Sequence, residues 1–379
     1  MRPPMVLKGS MDRLIFTPDD VDLARSPLRR GIAAGTYVLG AFNPGFTRLE
    51  SGNLLMMVRV AEALRDPVRD GHVHAIRWTP AGYVLDAYPL DQVDMRDPRQ
   101  FDLAGRAQRI LGLTSLSWLL PVELDPTGTD IVAVHYDRAI EPAASYQEYG
   151  VEDPRISRVG DRWYMTTCSV GAERHGTTLH VSRDGLNYDL AGLVLDHQNK
   201  DMLLFEGTVG DGFMAMTRPL GDCYFAYPPD SEFLGGPSIN FASSPDALHW
   251  RPLAAPGIRA RKGAAGAAKV GGGSPPILTD AGWLTIWHGV EAAAAVGIYR
   301  SFWALMDRDD PTRFLHVEDQ LPILEANPAL TAPIAHQLYL PTPVVFTTGM
   351  IDMGDHYLVA SGEADLACRL TRIDKSRFA

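Results

Sequence analysis

NPGFTRLESGNLLMMVRV, residues 43–60, reads as two short strands about a Gly/Asn turn, entered by a polar residue and left near an arginine. The pattern returns as EDPRISRVGDRWYMTTCSV (152–170), KDMLLFEGTVGDGFMAMTRP (200–219), GGSPPILTDAGWLTIWHGV (272–290) and TPVVFTTGMIDMGDHYLVASGEAD (342–365). Each copy has a polar entry, a short apolar strand, a turn rich in Gly, Asp or Asn, and a second apolar strand. A two-strand unit cannot bury its faces alone, and its repetition is the mark of a propeller or solenoid. Five copies at blade-sized spacing predict an all-β, five-bladed β-propeller. Innermost blade strands converge on one axis, so Asn43, Asp153, Arg218, His288 and Asp365 are expected in one pocket.

The 379 residues suit five blades of about four strands in one domain. Hydrophobic residues at 46% and charged ones at 21% describe a globular chain with a large core. The net charge of −11, with no Lys/Arg block, argues against a nucleic-acid surface. Cys168, Cys223 and Cys368 form no CxxC or metal-like spacing and read as free thiols in a reducing compartment. MRPPMVLKGSMDRLIF lacks a signal-peptide core, and no run reaches the ~18 apolar residues of a membrane span. A cytoplasmic location is expected.

Residues 1–40 read as an N-terminal extension, and 41–379 as a single catalytic propeller domain. TPDDVDLARSPL (17–28) opens on a cap-like Thr-Pro-Asp-Asp and predicts a short helix. VHAIRWTPAGYVLDAYPL (73–90) predicts a hairpin about Pro-Ala-Gly, and DIVAVHYDRAI (130–140) another strand. Ser-Arg-Asp-Gly-Leu and Ser-Pro-Asp-Ala-Leu make Asp184 and Asp246 turn residues. IRARKGAAGAAKVGGGSPP (258–276) is of low complexity and basic, a flexible linker or a mobile loop beside a pocket.

Gly150-Val151-Glu152-Asp153-Pro154-Arg155 is the sharpest local motif. Pro154 lacks an N–H and disfavours a helical Asp153, so the acid stands at a strand entry. A second constellation is basic: Lys200 and Asp201 open the third copy and Arg218 closes it. Lys269 precedes the fourth, His288 closes it and Tyr299 follows. Fixed charge plus several donors about one pocket is what a phosphate dianion requires. No GxSxG elbow, Walker loop, dinucleotide fingerprint or HExxH motif occurs, and no metal site is expected.

At these residues the chain resembles glycoside hydrolase family 130, the β-mannoside phosphorylases and β-1,2-mannosidases, over roughly 40–370. The resemblance rests on Asn43-Pro44 with Arg59, Gly150–Arg155, Lys200-Asp201 through Arg218-Pro219, Gly272–Pro276 through His288-Gly289-Val290, and Gly362–Asp365. It implies a five-bladed propeller with Asp153 as proton donor, acting through a sugar hydroxyl. It implies Asn43, Arg59 and Asp365 on the mannosyl unit, with Glu152, Arg155, Asp201 and Lys269 also expected about the substrate. Lys200, Arg218, His288 and Tyr299 are expected on phosphate. Two departures stand out: Lys200-Asp201 replaces an Arg-Asn of some members, and Glu206 replaces the proline of a common Leu-Phe-Pro, placing a carboxylate near the expected pocket.

The leading expectation is an inverting phosphorylase that cleaves β-mannosides with inorganic phosphate, its co-substrate, to α-mannose 1-phosphate with no other cofactor. An inverting β-mannosidase using water is the alternative and needs a second carboxylate, for which Glu206 and Glu291 are candidates. A non-catalytic carbohydrate-binding propeller stays open too. The expected partners are a small oligosaccharide and phosphate, with no nucleic acid or membrane and with a homo-oligomer allowed. Acceptor choice is expected in the loops 90–150 and 255–275.

Overall fold

A computed structural model describes residues 11–97, 99–106, 108–294 and 296–378. The chain is all-β, and its single α-helix among these residues is the four-residue Pro328–Thr331. The quoted stretch folds as read: Thr36–Arg48 and Leu54–Leu64 pair antiparallel with Arg48 opposite Leu54. The Leu49 N–H closes the turn on the Asn53 carbonyl at 2.9 Å. Both strands are buried almost throughout, rather than alternately, because other strands cover both faces.

The main strands fall into five successive antiparallel runs, the first two joined into one eight-stranded sheet where Ser117 pairs in parallel with Gly150. The first comprises Thr36–Arg48, Leu54–Leu64, Ser115–Leu124 and Ile131–Val134. The second runs through Gly150–Val159, Arg162–Val170, His175–Ser182 and Tyr188–Leu195. Asn199–Leu204, Phe213–Pro219, Asn240–Ser244 and Arg251–Pro252 make the third. The fourth begins with a broken strand, Lys269–Gly272 then Ile277–Thr279, and continues through Gly282–Glu291, Ile298–Met306 and Phe314–Val317. Val345–Asp352, His356–Glu363 and Ala367–Asp374 form the fifth. The first strand of unit one lies against those of units two and five, and that of unit three against those of two and four. Apolar side chains fill the seams: Leu203, Phe205 and Phe241 of unit three pack with Trp283, Trp287 and Phe302 of unit four.

Three regions depart from the sequence-based reading. Asp12–Phe16, placed in an extension, is the fourth strand of unit five, antiparallel to Ala367–Asp374. The predicted helix over 17–28 is instead a run of 3₁₀ turns, Pro18–Asp20, Leu23–Arg25 and Pro27–Arg30, since prolines interrupt any longer ladder. The basic stretch 258–276 is tied down: Arg261 pairs with Glu232 at 3.5 Å and Asp319 at 3.3 Å, and Lys262 Nζ donates to the Pro229 carbonyl.

The hairpin expected over 73–90 forms as His72–Thr79 and Gly82–Pro89, within a small sheet inserted into unit one. A second inserted sheet follows: Val93–Asp97, Gln100–Leu103 and Leu111–Leu113. Asp184 and Asp246 are turn residues, each taking two backbone N–H groups on Oδ1. The three cysteines are free thiols. No helix among the described residues is long and apolar enough to cross a membrane.

Candidate active site

The first strands of units one, two and three are broken at the same height. Asn43-Pro44, Asp153-Pro154 and Asp201-Met202 each set two residues opposite one on the partner strand, a β-bulge. The first bulge residue is left-handed in all three, with φ of 48° at Asn43, 48° at Asp153 and 59° at Asp201. Asp365, in the turn after His356–Glu363, has φ of 50°. Asn and Asp tolerate this region best among residues with a Cβ. The bulges bring these side chains to one cavity of about 170 Å³. Arg59, Lys200, Arg218, Lys269, His288 and Tyr299 also line it, with Val344 and Phe346.

One side of the cavity is organised about Asp153. Its Oδ1 accepts from Asn43 Nδ2 at 2.9 Å and from Arg59 Nη1 at 2.9 Å. Burial opposes charge on Asp153, yet Arg59, Arg155, Lys200 and the Asn43 amide outweigh it and hold the carboxyl well below the usual range. Arg59 is fixed in turn by Glu152 at 2.7 Å and Ser117 Oγ at 3.0 Å. Asp365 is the contrasting acid. Burial pushes it up to about 6 against the pull of Arg59 and Arg99.

The other side is cationic. Arg218 Nη2 lies 2.6 Å from Asp201 Oδ2, and Lys269 Nζ donates to the Tyr299 hydroxyl at 3.2 Å. Burial and the neighbouring Arg218 lower Lys269 to about 8. His288 Nδ1 meets the Gly272 carbonyl at 3.1 Å, and its ring packs in a triangle with those of Tyr299 and Phe346. Arg218 Nε and Nη1, Arg155 Nη2 and His288 Nε2 are buried without a hydrogen-bond partner. A protein leaves such groups unmatched at a price of about 1–3 kcal/mol each, more when charged, and they mark a place for a ligand. Among the described residues no group of three or more His, Cys, Asp or Glu is placed to hold a metal ion.

Ten of the residues singled out in the sequence therefore meet: Asn43, Arg59, Asp153, Lys200, Asp201, Arg218, Lys269, His288, Tyr299 and Asp365. Glu152 and Arg155 stand behind the wall instead. Glu152 joins Arg59 to Lys200, and Arg155 donates to the carbonyls of Gly273 and Asp153.

The two candidate bases fail to reach the cavity, which corrects that expectation. Glu206 lies five residues beyond Asp201, roughly 16 Å along an extended chain, and its N–H bonds the Pro276 carbonyl. Glu291 is exposed and paired with Arg300 at 2.6 Å. Sequence reasoning missed Arg99 and Tyr339. Arg99, between the second and first strands of the second inserted sheet, comes within 3.9 Å of Asp365 Oδ2, and the Tyr339 hydroxyl donates to the Asp365 carbonyl at 2.9 Å. Only the assignment of acceptor choice to the loops 90–150 pointed toward Arg99.

Comparison with known proteins finds relatives over most of the chain. The glycoside hydrolase 130 family model, described as beta-1,4-mannooligosaccharide phosphorylase, matches residues 128–377. A beta-1,2-mannobiose phosphorylase of Listeria innocua serovar 6a is 29% identical over 362 residues, 93% of this chain and 91% of that protein. A beta-1,2-mannobiose phosphorylase of Thermoanaerobacter sp. (strain X514) is 29% identical over 235 residues, 61% of this chain and 69% of that protein. The solved structure of the Listeria innocua beta-1,2-mannobiose phosphorylase with beta-1,2-mannobiose superimposes with a TM-score of 0.76 at 26% identity, covering 97% of this chain and 98% of that one.

Proposed function

The chain belongs to the glycoside hydrolase 130 family, and from that premise we propose that it is an inverting phosphorylase converting β-mannosides and inorganic phosphate to α-mannose 1-phosphate. The observation that carries this reading is the set of unmatched donors on Arg218, beside Lys200, Lys269 and Tyr299. An inverting hydrolase would need a carboxylate free to activate water there; Glu206 and Glu291 lie elsewhere, and the cavity's own Asp201 and Asp365 sit beside Arg218 and Arg99.

Asn43, Arg59 and Asp365 hold the mannosyl unit against Asp153, the general acid. Arg218, Lys200, His288 and Tyr299 hold phosphate. Lys269, expected on the sugar, joins them through its bond to Tyr299. Asp201 stays at the boundary of both sets. Glu152 and Arg155 act as positioning residues, through Arg59, Lys200 and the Asp153 backbone. A phosphate oxygen attacks the anomeric carbon from the face opposite the leaving group, the glycosidic C–O bond breaks, and Asp153 protonates the departing oxygen through a sugar hydroxyl. Asp153 is ionised before substrates bind, because cations surround it. A phosphate dianion among those cations offsets them and raises its affinity for a proton. The proton lost by hydrogen phosphate in becoming the ester balances the one gained by the alcohol.

The five meanders are read as five blades about the cavity, forming one catalytic domain, since their first strands neighbour one another and their bulges face the same space. Inorganic phosphate is the co-substrate in this scheme, no other cofactor takes part, and the cytoplasm is the proposed location. The β-1,2 linkage named for the relatives is the first to test.

Incubation with β-1,2-mannobiose, β-1,4-mannobiose and mannosylglucose, with and without phosphate, tests the reading. Mannose 1-phosphate should appear only with phosphate. Equal release of free mannose without phosphate would make the enzyme a hydrolase. Asp153→Asn should lose about 10²–10⁴-fold in kcat while keeping its circular dichroism spectrum.

A further inference from the structure

A cradle for a fully ionised tetrahedral anion should present donors alone. This one also presents two acceptors. Asp201 is buried and ionised: burial opposes its charge, but the guanidinium groups of Arg218 and Arg155 hold the carboxyl below its ordinary range. Its Oδ2 lies 2.6 Å from Arg218 Nη2, yet it accepts no aligned hydrogen bond.

His288 supplies the second acceptor. A carbonyl can only accept, so the bond between Nδ1 and the Gly272 oxygen places the ring proton on Nδ1. Nε2 then carries a lone pair, buried, without a partner, and 3.9 Å from Asp201 Oδ2. A second proton on the ring is opposed by burial and by Arg218, Lys269 and Arg155, and favoured by Asp201, which they outweigh. The Tyr299 and Phe346 rings pack against the imidazole and offer it no carboxylate. Gly271 makes the approach of the two acceptors possible. A Cβ there would come within 2.4 Å of His288 Nε2 and 2.7 Å of Asp201 Oδ2.

We propose that Asp201 and His288 read a proton on the anion, making the cradle selective for hydrogen phosphate over tetrahedral anions that carry none, sulfate above all. This rests on the reading of the cavity as a phosphate site. The P–OH group donates to one of the two acceptors while Arg218, Lys200 and Lys269 take the ionised oxygens. Sulfate has no such hydrogen at neutral pH, so one of its oxygens must face a carboxylate and an imidazole lone pair. Sites built around a buried hydrogen bond reject an analogue lacking it far more strongly than shape alone allows.

The test uses the full chain and the mannobiose that it cleaves. Arsenate, which keeps the hydroxyl, should replace phosphate within about tenfold, whereas sulfate should inhibit with a Ki at least ~100-fold above the phosphate KM. Asp201→Asn, whose amide can donate, should raise the phosphate KM and bring sulfate to within about tenfold of phosphate. Nitrogen-15 spectra of histidine-labelled wild-type enzyme, which do not depend on the variant folding, should show His288 as the neutral Nδ1–H form with phosphate bound. Sulfate competing as tightly as phosphate, or a doubly protonated His288 in the phosphate complex, would overturn the proposal while phosphorolysis stands. Cleavage indifferent to phosphate would overturn the phosphorylase reading, and this inference with it.

Discussion

Asn43, Asp153 and Asp201 show how much chemistry a single backbone torsion can carry. Each occupies a left-handed conformation inside a strand, which costs of order 1 kcal/mol and is repaid by a side chain turned toward the cavity. Glu206 carries a carboxyl like the two aspartates, without that placement. Burial pushes its carboxyl up to about 7 against the backbone N–H and charge of Arg158. The unfolded chain releases that proton near 4.5, so the group's favourable contribution is present at low pH and is lost as pH rises from there to about 7. Glu206→Gln should therefore leave turnover unchanged and stabilise the protein at pH 8 by roughly 1–3 kcal/mol. Urea denaturation should show the gain disappearing near pH 5; an equal gain at both values would refute this account. Asp153 could be picked out in the sequence because Pro154 restricts its backbone. Glu206 misled because spacing along a strand reveals distance only once the strand direction is known.

Among the elements, the repeated hairpins were legible because turn chemistry and apolar runs are local signals, and the 73–90 hairpin was readable for the same reason. The second inserted sheet was not. Its strands are short, and its purpose appears only where Arg99 comes up beside Asp365. Arg99 helps to keep that acid near 6 rather than higher, against burial and the charges of Asp153 and Glu152. An ionised Asp365 is the form that accepts from sugar hydroxyls, so kcat/KM for the mannoside should fall as pH drops through about 6. Arg99→Ala should move that acid limb upward by up to about one pH unit and raise the mannoside KM several-fold at pH 7. The phosphate KM should hardly move. An unshifted limb, or a change confined to phosphate, would remove Arg99 from this role.

For the whole molecule, the seam between unit five and the N-terminal strand is decisive. Asp12 takes Arg369 Nε at 2.7 Å and Nη2 at 3.0 Å, with Thr371 and Asn327 donating as well. Arg369 also holds Glu363 at 2.8 Å, two residues before Asp365. Asp12→Ala should leave a buried guanidinium half-paired and cost about 3 kcal/mol in urea denaturation, with a higher mannoside KM from the loosened turn. A stability unchanged within error would show that Glu363 alone suffices. DRLIF carries no local sign of its partner, since the pairing joins residues more than 350 apart, and only the assembled molecule displays it. The same seam sets a schedule for synthesis. Asp12–Phe16 is made more than 350 residues before Ala367–Asp374 and waits for it. At about 5–20 residues per second the wait is on the order of 20–70 s, during which the nascent chain exposes an unpaired sheet edge and lacks the Asp365 wall of its cavity.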